Sequence, residues 1–199
     1  CPPPIEFKLS KDGSKLFALT KTSFRVFDSS DLTLINQRSF TDATSFAESL
    51  DSSVVYVGQA FTPTVIEIDL ETFAETAHPF SSTRGVLSME MVQSNYLVVG
   101  LEEGGKMATL RLSDNYLSRG PTYGSSPSHM EAIPGTQDVL VSTRGNGLSV
   151  ARYSTNATSI TKVGDASAKG YYGINIAPHS GKGFFAPFGS TEGSPDFAV

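Results

Sequence analysis

Short apolar runs, each entered through a tight polar turn, recur along this chain. They are Leu16-Phe17-Ala18-Leu19, Val54-Val55-Tyr56-Val57, Leu97-Val98-Val99, Val139-Leu140-Val141 and Phe184-Phe185-Ala186. Counted from 16, 54, 97, 140 and 184, the spacings are 38, 43, 43 and 44. The turns before them are Asp, Asn, Gly, Pro and Ser clusters, such as Ser10-Lys11-Asp12-Gly13 and Pro134-Gly135-Thr136-Gln137. These residue types favour hairpin turns, because they tolerate left-handed backbone or hydrogen-bond their own main chain. Another short strand precedes each turn. A polar loop after each run leads to a third strand, with period-2 alternation or a β-branched run in Ser23–Asp28, Thr64–Asp69 and Leu148–Tyr153. A weaker outer strand follows, as in Leu34–Arg38 and Ile160–Val163.

Each unit therefore predicts a four-stranded antiparallel meander, and a period of about 40 to 50 residues marks a β-propeller. The fold class is all-β, with about four and a half blades in a single domain over 1–199. The blades are expected near 5–40, 41–83, 85–124 and 125–167, with a partial one at 171–199. A β-sandwich does not predict this repeat. Ring closure is needed to cover blade faces and edges, which implies an intact ring of six or seven blades.

Composition narrows the function. The chain has 199 residues, 18% of them charged, and a net charge of -5 with no basic patch, which disfavours nucleic acid as a partner. No apolar run approaches the roughly 20 residues of a membrane-spanning helix. The single cysteine, Cys1, leaves no internal disulfide and no Cys-based zinc cage. A strand starting at Ile5 leaves no flexible spacer behind Cys1, which favours an internal start over a lipidated cysteine. Asn156-Ala157-Thr158 fits a glycosylation sequon, so an extracellular or cell-surface setting is favoured over the cytoplasm.

The second repeat, Val54-Val55-Tyr56-Val57-Gly58 followed by Thr64-Val65-Ile66-Glu67-Ile68-Asp69, resembles the YVTN-type repeat. Ser10-Lys11-Asp12-Gly13-Ser14-Lys15 is similar to that family's Ser-Pro-Asp-Gly-Lys turn, with Lys11 in place of Pro. The resemblance implies a propeller related to lactonase-like enzymes, surface-layer proteins and quinoprotein-like domains, and it does not choose among them.

Candidate chemistry lies near the ring axis. Nine residues before each apolar run stand Phe7, Ser45, Ser88, Glu131 and Asn175. Ser45, Ser88, Glu131 and Asn175 are expected to line a polar channel, with Phe7 interrupting the set. Loops add Arg84, Tyr123, Arg144, Tyr171 and Tyr172, together with Phe61, Glu102, Glu103 and Lys106, as possible contacts. His129 and Glu131 share a strand face and are the weak candidates for a divalent metal; the expectation is no metal and no cofactor. No nucleophile elbow or triad spacing is present. The functional expectation is a non-enzymatic scaffold for a protein or small-molecule ligand. A lactonase-like hydrolase at the channel mouth and a surface-displayed structural protein are the alternatives.

Overall fold

The computed structural model describes residues 4–122, 126–144 and 148–168. Among these described residues sixteen strands form four separate sheets, each a sequential antiparallel meander. Sheet 1 contains β1 (Glu6–Leu9), β2 (Lys15–Leu19), β3 (Ser23–Asp28) and β4 (Leu34–Ser39). Sheet 2 contains β5 (Ala43–Glu48), β6 (Val54–Gln59), β7 (Thr64–Asp69) and β8 (Glu75–Pro79). Sheet 3 contains β9 (Val86–Gln93), β10 (Tyr96–Leu101), β11 (Lys106–Arg111) and β12 (Tyr116–Thr122). Sheet 4 contains β13 (Ser126–Ala132), β14 (Asp138–Arg144), β15 (Leu148–Asn156) and β16 (Ser159–Ala168). No helix among the described residues is long and apolar enough to cross a membrane.

The turns follow from their sequences. In the first hairpin the Ser10 hydroxyl donates to Asp12 at 2.6 Å, and the Ser14 N–H donates to the same carboxylate at 3.0 Å. The second hairpin repeats this with Ser49, Asp51 and Ser53. The Ser10 and Ser49 hydroxyls, with those of Ser14 and Ser53, hold Asp12 and Asp51 down to about 2. Gly13 at the first turn has φ +75°, where a Cβ would be strained.

Both faces of a middle sheet are buried, because each sheet packs against its neighbours in sequence. We call the face toward the following sheet leading and the face toward the preceding one trailing. Three apolar clusters fill the interfaces. Phe17, Phe24 and Val26 meet Phe46, Val57 and Ile68 between sheets 1 and 2. Tyr56 and Val65 meet Met89, Leu97 and Leu110 between sheets 2 and 3. Tyr96 and Val98 meet Met130, Val141 and Tyr153 between sheets 3 and 4. Polar ties also join neighbouring sheets: Arg38 donates to the Phe73 carbonyl at 2.7 Å, His78 meets Asn115 at 2.9 Å, and Tyr96 meets Thr155 at 2.9 Å. Close approach also demands glycine. A Cβ on Gly85 would fall on the carbonyl oxygen of Gln59 and lie 2.5 Å from that of Thr62.

Candidate functional site

The inner strands β1, β5, β9 and β13 position the site, and strand register decides which side chains share a position. Directly paired residues in an antiparallel ladder point to the same face. Glu6, Ser45, Ser88 and His129 pair with Leu19, Gly58, Gly100 and Ser142, so they form one leading column. Lys8, Ala47, Glu90 and Glu131 pair with Phe17, Tyr56, Val98 and Leu140, which makes a second leading column. Phe7, Phe46, Met89 and Met130 pair with Ala18, Val57, Val99 and Val141 and form a trailing column.

The four residues of equal sequence offset therefore occupy three different columns. Ser45 and Ser88 are equivalent, Glu131 sits one leading position further along, and Phe7 lies on the opposite face. Two causes act together. The first hairpins of sheets 1, 2 and 4 span 10–14, 49–53 and 133–137, but that of sheet 3 is only 94–95. The equivalent second-strand residues are Leu16, Val55, Leu97 and Val139, so counting from 54 and 140 slips the alignment by one. In sheet 3 a register shift between Tyr96 and Leu97 partly offsets the short turn and leaves a net slip of one residue.

Register brings together a charged group that the equal offset did not identify. Lys8 Nζ lies 3.2 Å from Glu90 Oε2, joining sheet 1 to sheet 3. His129 Nε2 lies 3.8 Å from Glu131 Oε2. Glu6 accepts the Phe46 N–H at 3.3 Å, and Ser45 Oγ accepts the Met89 N–H at 3.3 Å, so the first leading column ties β1 to β5 and β5 to β9. Glu48 is buried and takes the Lys11 N–H on both carboxylate oxygens, at 3.1 and 3.0 Å. Ser88 Oγ is buried and makes no hydrogen bond among the described residues. A cleft of about 1160 Å³ opens beside this group, with Phe7, Lys8, Glu90, His129 and Glu131 on its walls.

Burial sets the electrostatics. It pushes the Glu131 carboxyl up to about 7, with Lys8 pulling the other way and Glu90 adding to the rise. It also pushes Glu6 up to about 7, against the Phe46 N–H. Burial opposes the Lys8 charge, yet Glu90, Glu131 and Glu6 hold its ammonium above the ordinary lysine range. Burial, then Lys8, lowers His129 below the ordinary imidazole value. Glu90 is thus the carboxylate in contact with the Lys8 ammonium, Glu131 and Glu6 act on it across space, and Lys11 on the same cleft wall supplies a second ammonium facing Glu90 and Glu131.

A pH dependence follows. A carboxyl raised in the folded state costs nothing below its ordinary value of 4.5, costs progressively more as pH rises, and reaches its full cost above about 7. Glu131→Gln is expected to raise stability by up to about 3 kcal/mol near pH 8 and to leave it unchanged near pH 4. The lowered His129 acts in the opposite sense, costing stability as pH falls through the ordinary imidazole range. It is present in both proteins and cancels in the comparison. Urea midpoints at the two pH values check this, and an equal shift at both would contradict it.

The other candidates separate by location. Arg84, in the connection between β8 and β9, lies with its guanidinium 5.5 Å from the Phe61 ring centroid and pairs with Glu102 at 3.3 Å. Beside it, Glu103 takes Arg119 at 3.2 Å and Lys106 at 3.3 Å. Arg119, then Lys106 and Ser82, hold the Glu103 carboxyl down to about 2. This patch is separate from the cleft lining. Arg144 ends β14 and its side chain lies outside the described residues, as do Tyr123, Tyr171, Tyr172 and Asn175. Among the described residues no group of three or more His, Cys, Asp or Glu could hold a metal ion.

Four meanders packed face to face in sequence, with their inner strands converging, define a β-propeller fold. Among solved structures the chain is similar to Kuenenia stuttgartiensis hydrazine synthase, with a TM-score of 0.73 and 15% identity. The match covers 96% of this chain and 59% of that one, so the chain spans well under two thirds of its neighbour's length. At that identity the likeness shows the fold alone, and the 877 solved chains that match make the fold a poor guide to activity. No family model matches the chain, and no curated protein does.

Proposed function

We propose that this propeller is a non-enzymatic binding scaffold and that its axial cleft takes a ligand bearing a positive charge, such as an ammonium group on a small molecule or a protein side chain. The observation that carries this reading is the gathering of Glu6, Glu90 and Glu131 about the ammonium groups of Lys8 and Lys11 beside an open cleft, with Lys8 in contact with Glu90. Two of those carboxyls sit near 7, so an arriving cation stabilises their ionised forms and displaces protons. Partner residues at the Phe61–Arg84 patch would add a protein contact at one end of the ring. The repeat pattern supports a place among YVTN-type propellers.

Calorimetry with small alkylammonium ions and a lysine-containing peptide near pH 7.5 tests the reading. Binding is expected to release protons and to weaken about tenfold in Glu131→Gln, the loss of one charge-assisted contact. Equal affinity for wild type and variant, or no binding across the series, would count against it.

A hydrolytic reading rests on the same residues. A carboxyl near 7 beside a neutral imidazole is suited to acid–base work. Turnover of lactones or esters that disappears in both Glu131→Gln and His129→Ala would replace the scaffold with an enzyme.

A further inference from the structure

The turn between β15 and β16 carries the one Asn-x-Ser/Thr triplet in the sequence, Asn156-Ala157-Thr158. Asn156 pairs with Ser159 at the end of the hairpin, so Ala157 and Thr158 form a two-residue loop. The loop is fixed from below. The Thr155 N–H and hydroxyl both donate to the Gln137 carbonyl, at 3.0 and 2.7 Å. The Ser118 hydroxyl of the preceding sheet donates to the Thr158 carbonyl, and Ala157 packs on the apolar cluster between sheets 3 and 4. Thr155 and Ile160 on either side are buried, whereas Asn156, Thr158 and Ser159 are exposed.

Equivalent turns show what the side chain at this position does. Asp28, Asp69 and Asn156 are the last residues of β3, β7 and β15. The Asp28 carboxylate takes the Ser30 N–H and hydroxyl at 2.8 and 2.6 Å. The Asp69 carboxylate takes the Thr72 N–H and hydroxyl at 2.6 and 2.9 Å. Asn156 Oδ1 takes the Thr158 N–H and hydroxyl at 2.9 and 3.0 Å. In each turn the side-chain oxygen stands in for a main-chain carbonyl. An aspartate therefore serves such a turn, and asparagine adds a nitrogen with two N–H groups. One donates to Ser159 Oγ at 2.7 Å, and the other has no acceptor among the described residues.

We propose that Asn156 is a site of N-linked glycosylation. The triplet supplies the amide acceptor and the hydroxyl that oligosaccharide transfer requires, and the fold sets both on an exposed turn, where a bulky group is accommodated. In the transfer, Nδ2 bonds to the anomeric carbon of a lipid-diphosphate-linked oligosaccharide. The bond from that carbon to the diphosphate oxygen breaks, the lipid diphosphate leaves, and Nδ2 gives up one proton. The resulting secondary amide keeps one N–H for Ser159, and Oδ1 still accepts from Thr158, so the turn survives modification. None of these residues lines the cleft, so the glycan leaves the ligand site open. A chain so modified has passed through a compartment that holds the lipid-linked donor.

Peptide mass spectrometry of the full-length protein from its native cells tests this, before and after an amidase that releases N-linked glycans. The peptide spanning 156 is expected to carry a glycan, and release is expected to convert the Asn156 carboxamide to a carboxylate. Expressed in the same cells, Thr158→Ser is expected to keep the glycan, while Asn156→Asp and Thr158→Ala lose it. Asn156→Asp retains the side-chain oxygen that Asp28 and Asp69 use, so its loss of the glycan reads the nitrogen rather than the fold. An unmodified Asn156 in the native protein overturns the proposal. A glycan that persists in Asn156→Asp also overturns it, because the attachment then lies elsewhere.

Discussion

Phe46→Ala is expected to destabilise the protein by about 3–5 kcal/mol, the usual cost of emptying a buried aromatic site. Phe46 stands edge-on to Phe17 at 5.9 Å and to Phe24 at 5.4 Å, and all three rings are nearly inaccessible to solvent. Removing it leaves a void that strands fixed by hydrogen bonds on both sides cannot close. Phe7→Ala, at the equivalent position, is expected to change stability by less than about 1 kcal/mol in a chain whose first sheet stays uncovered. The pair of substitutions therefore reads burial at constant chemistry. Urea denaturation of both variants checks it, and equal losses would contradict the column assignment or show that the first sheet is covered.

Lys8→Met is the second large effect. Glu90 is 5% exposed at its side chain and depends on the Lys8 ammonium at 3.2 Å. Methionine keeps much of the apolar stem and removes the charge, leaving a buried carboxylate without its ion partner at a cost of about 3–5 kcal/mol. Adding Glu90→Gln is expected to recover most of that loss, because a neutral amide tolerates the site. A double-mutant cycle measures this coupling directly. Additive losses in the double variant would mean that the contact joining sheets 1 and 3 carries no net interaction.

The architecture was legible because its signals are local. The turn clusters before Leu16, Val55, Leu97 and Val139, and the alternation of Thr64–Asp69, mark hairpins without reference to the rest of the chain. Four four-stranded meanders follow from them, as the structure shows. The candidate site was less legible because its membership depends on parity. One residue of slip exchanges leading for trailing faces, and the register shift between Tyr96 and Leu97 in sheet 3 contributes to such a slip with no clear mark in the sequence. Glu131 and His129 stand out in the sequence, while Glu6 and Lys8 fall outside the equal-offset set, and Glu90 enters only through its pairing with Val98. A better signal was available in the length of the β9–β10 turn, which is just Ser94 and Asn95. Allowing for that turn together with the register shift between Tyr96 and Leu97 places Glu90 with Lys8 and Glu131.

The central claim is that these inner-strand carboxyls form a buried, proton-holding group that a cation can relieve. Carbon-13 NMR of glutamate-labelled protein, with Glu6→Gln and Glu131→Gln assigning the signals, measures it most directly. The account predicts two carboxyl groups titrating near 7, both moving at least about one unit lower when an alkylammonium ligand binds. Titration of both near the ordinary glutamate value, unmoved by the ligand, would contradict it.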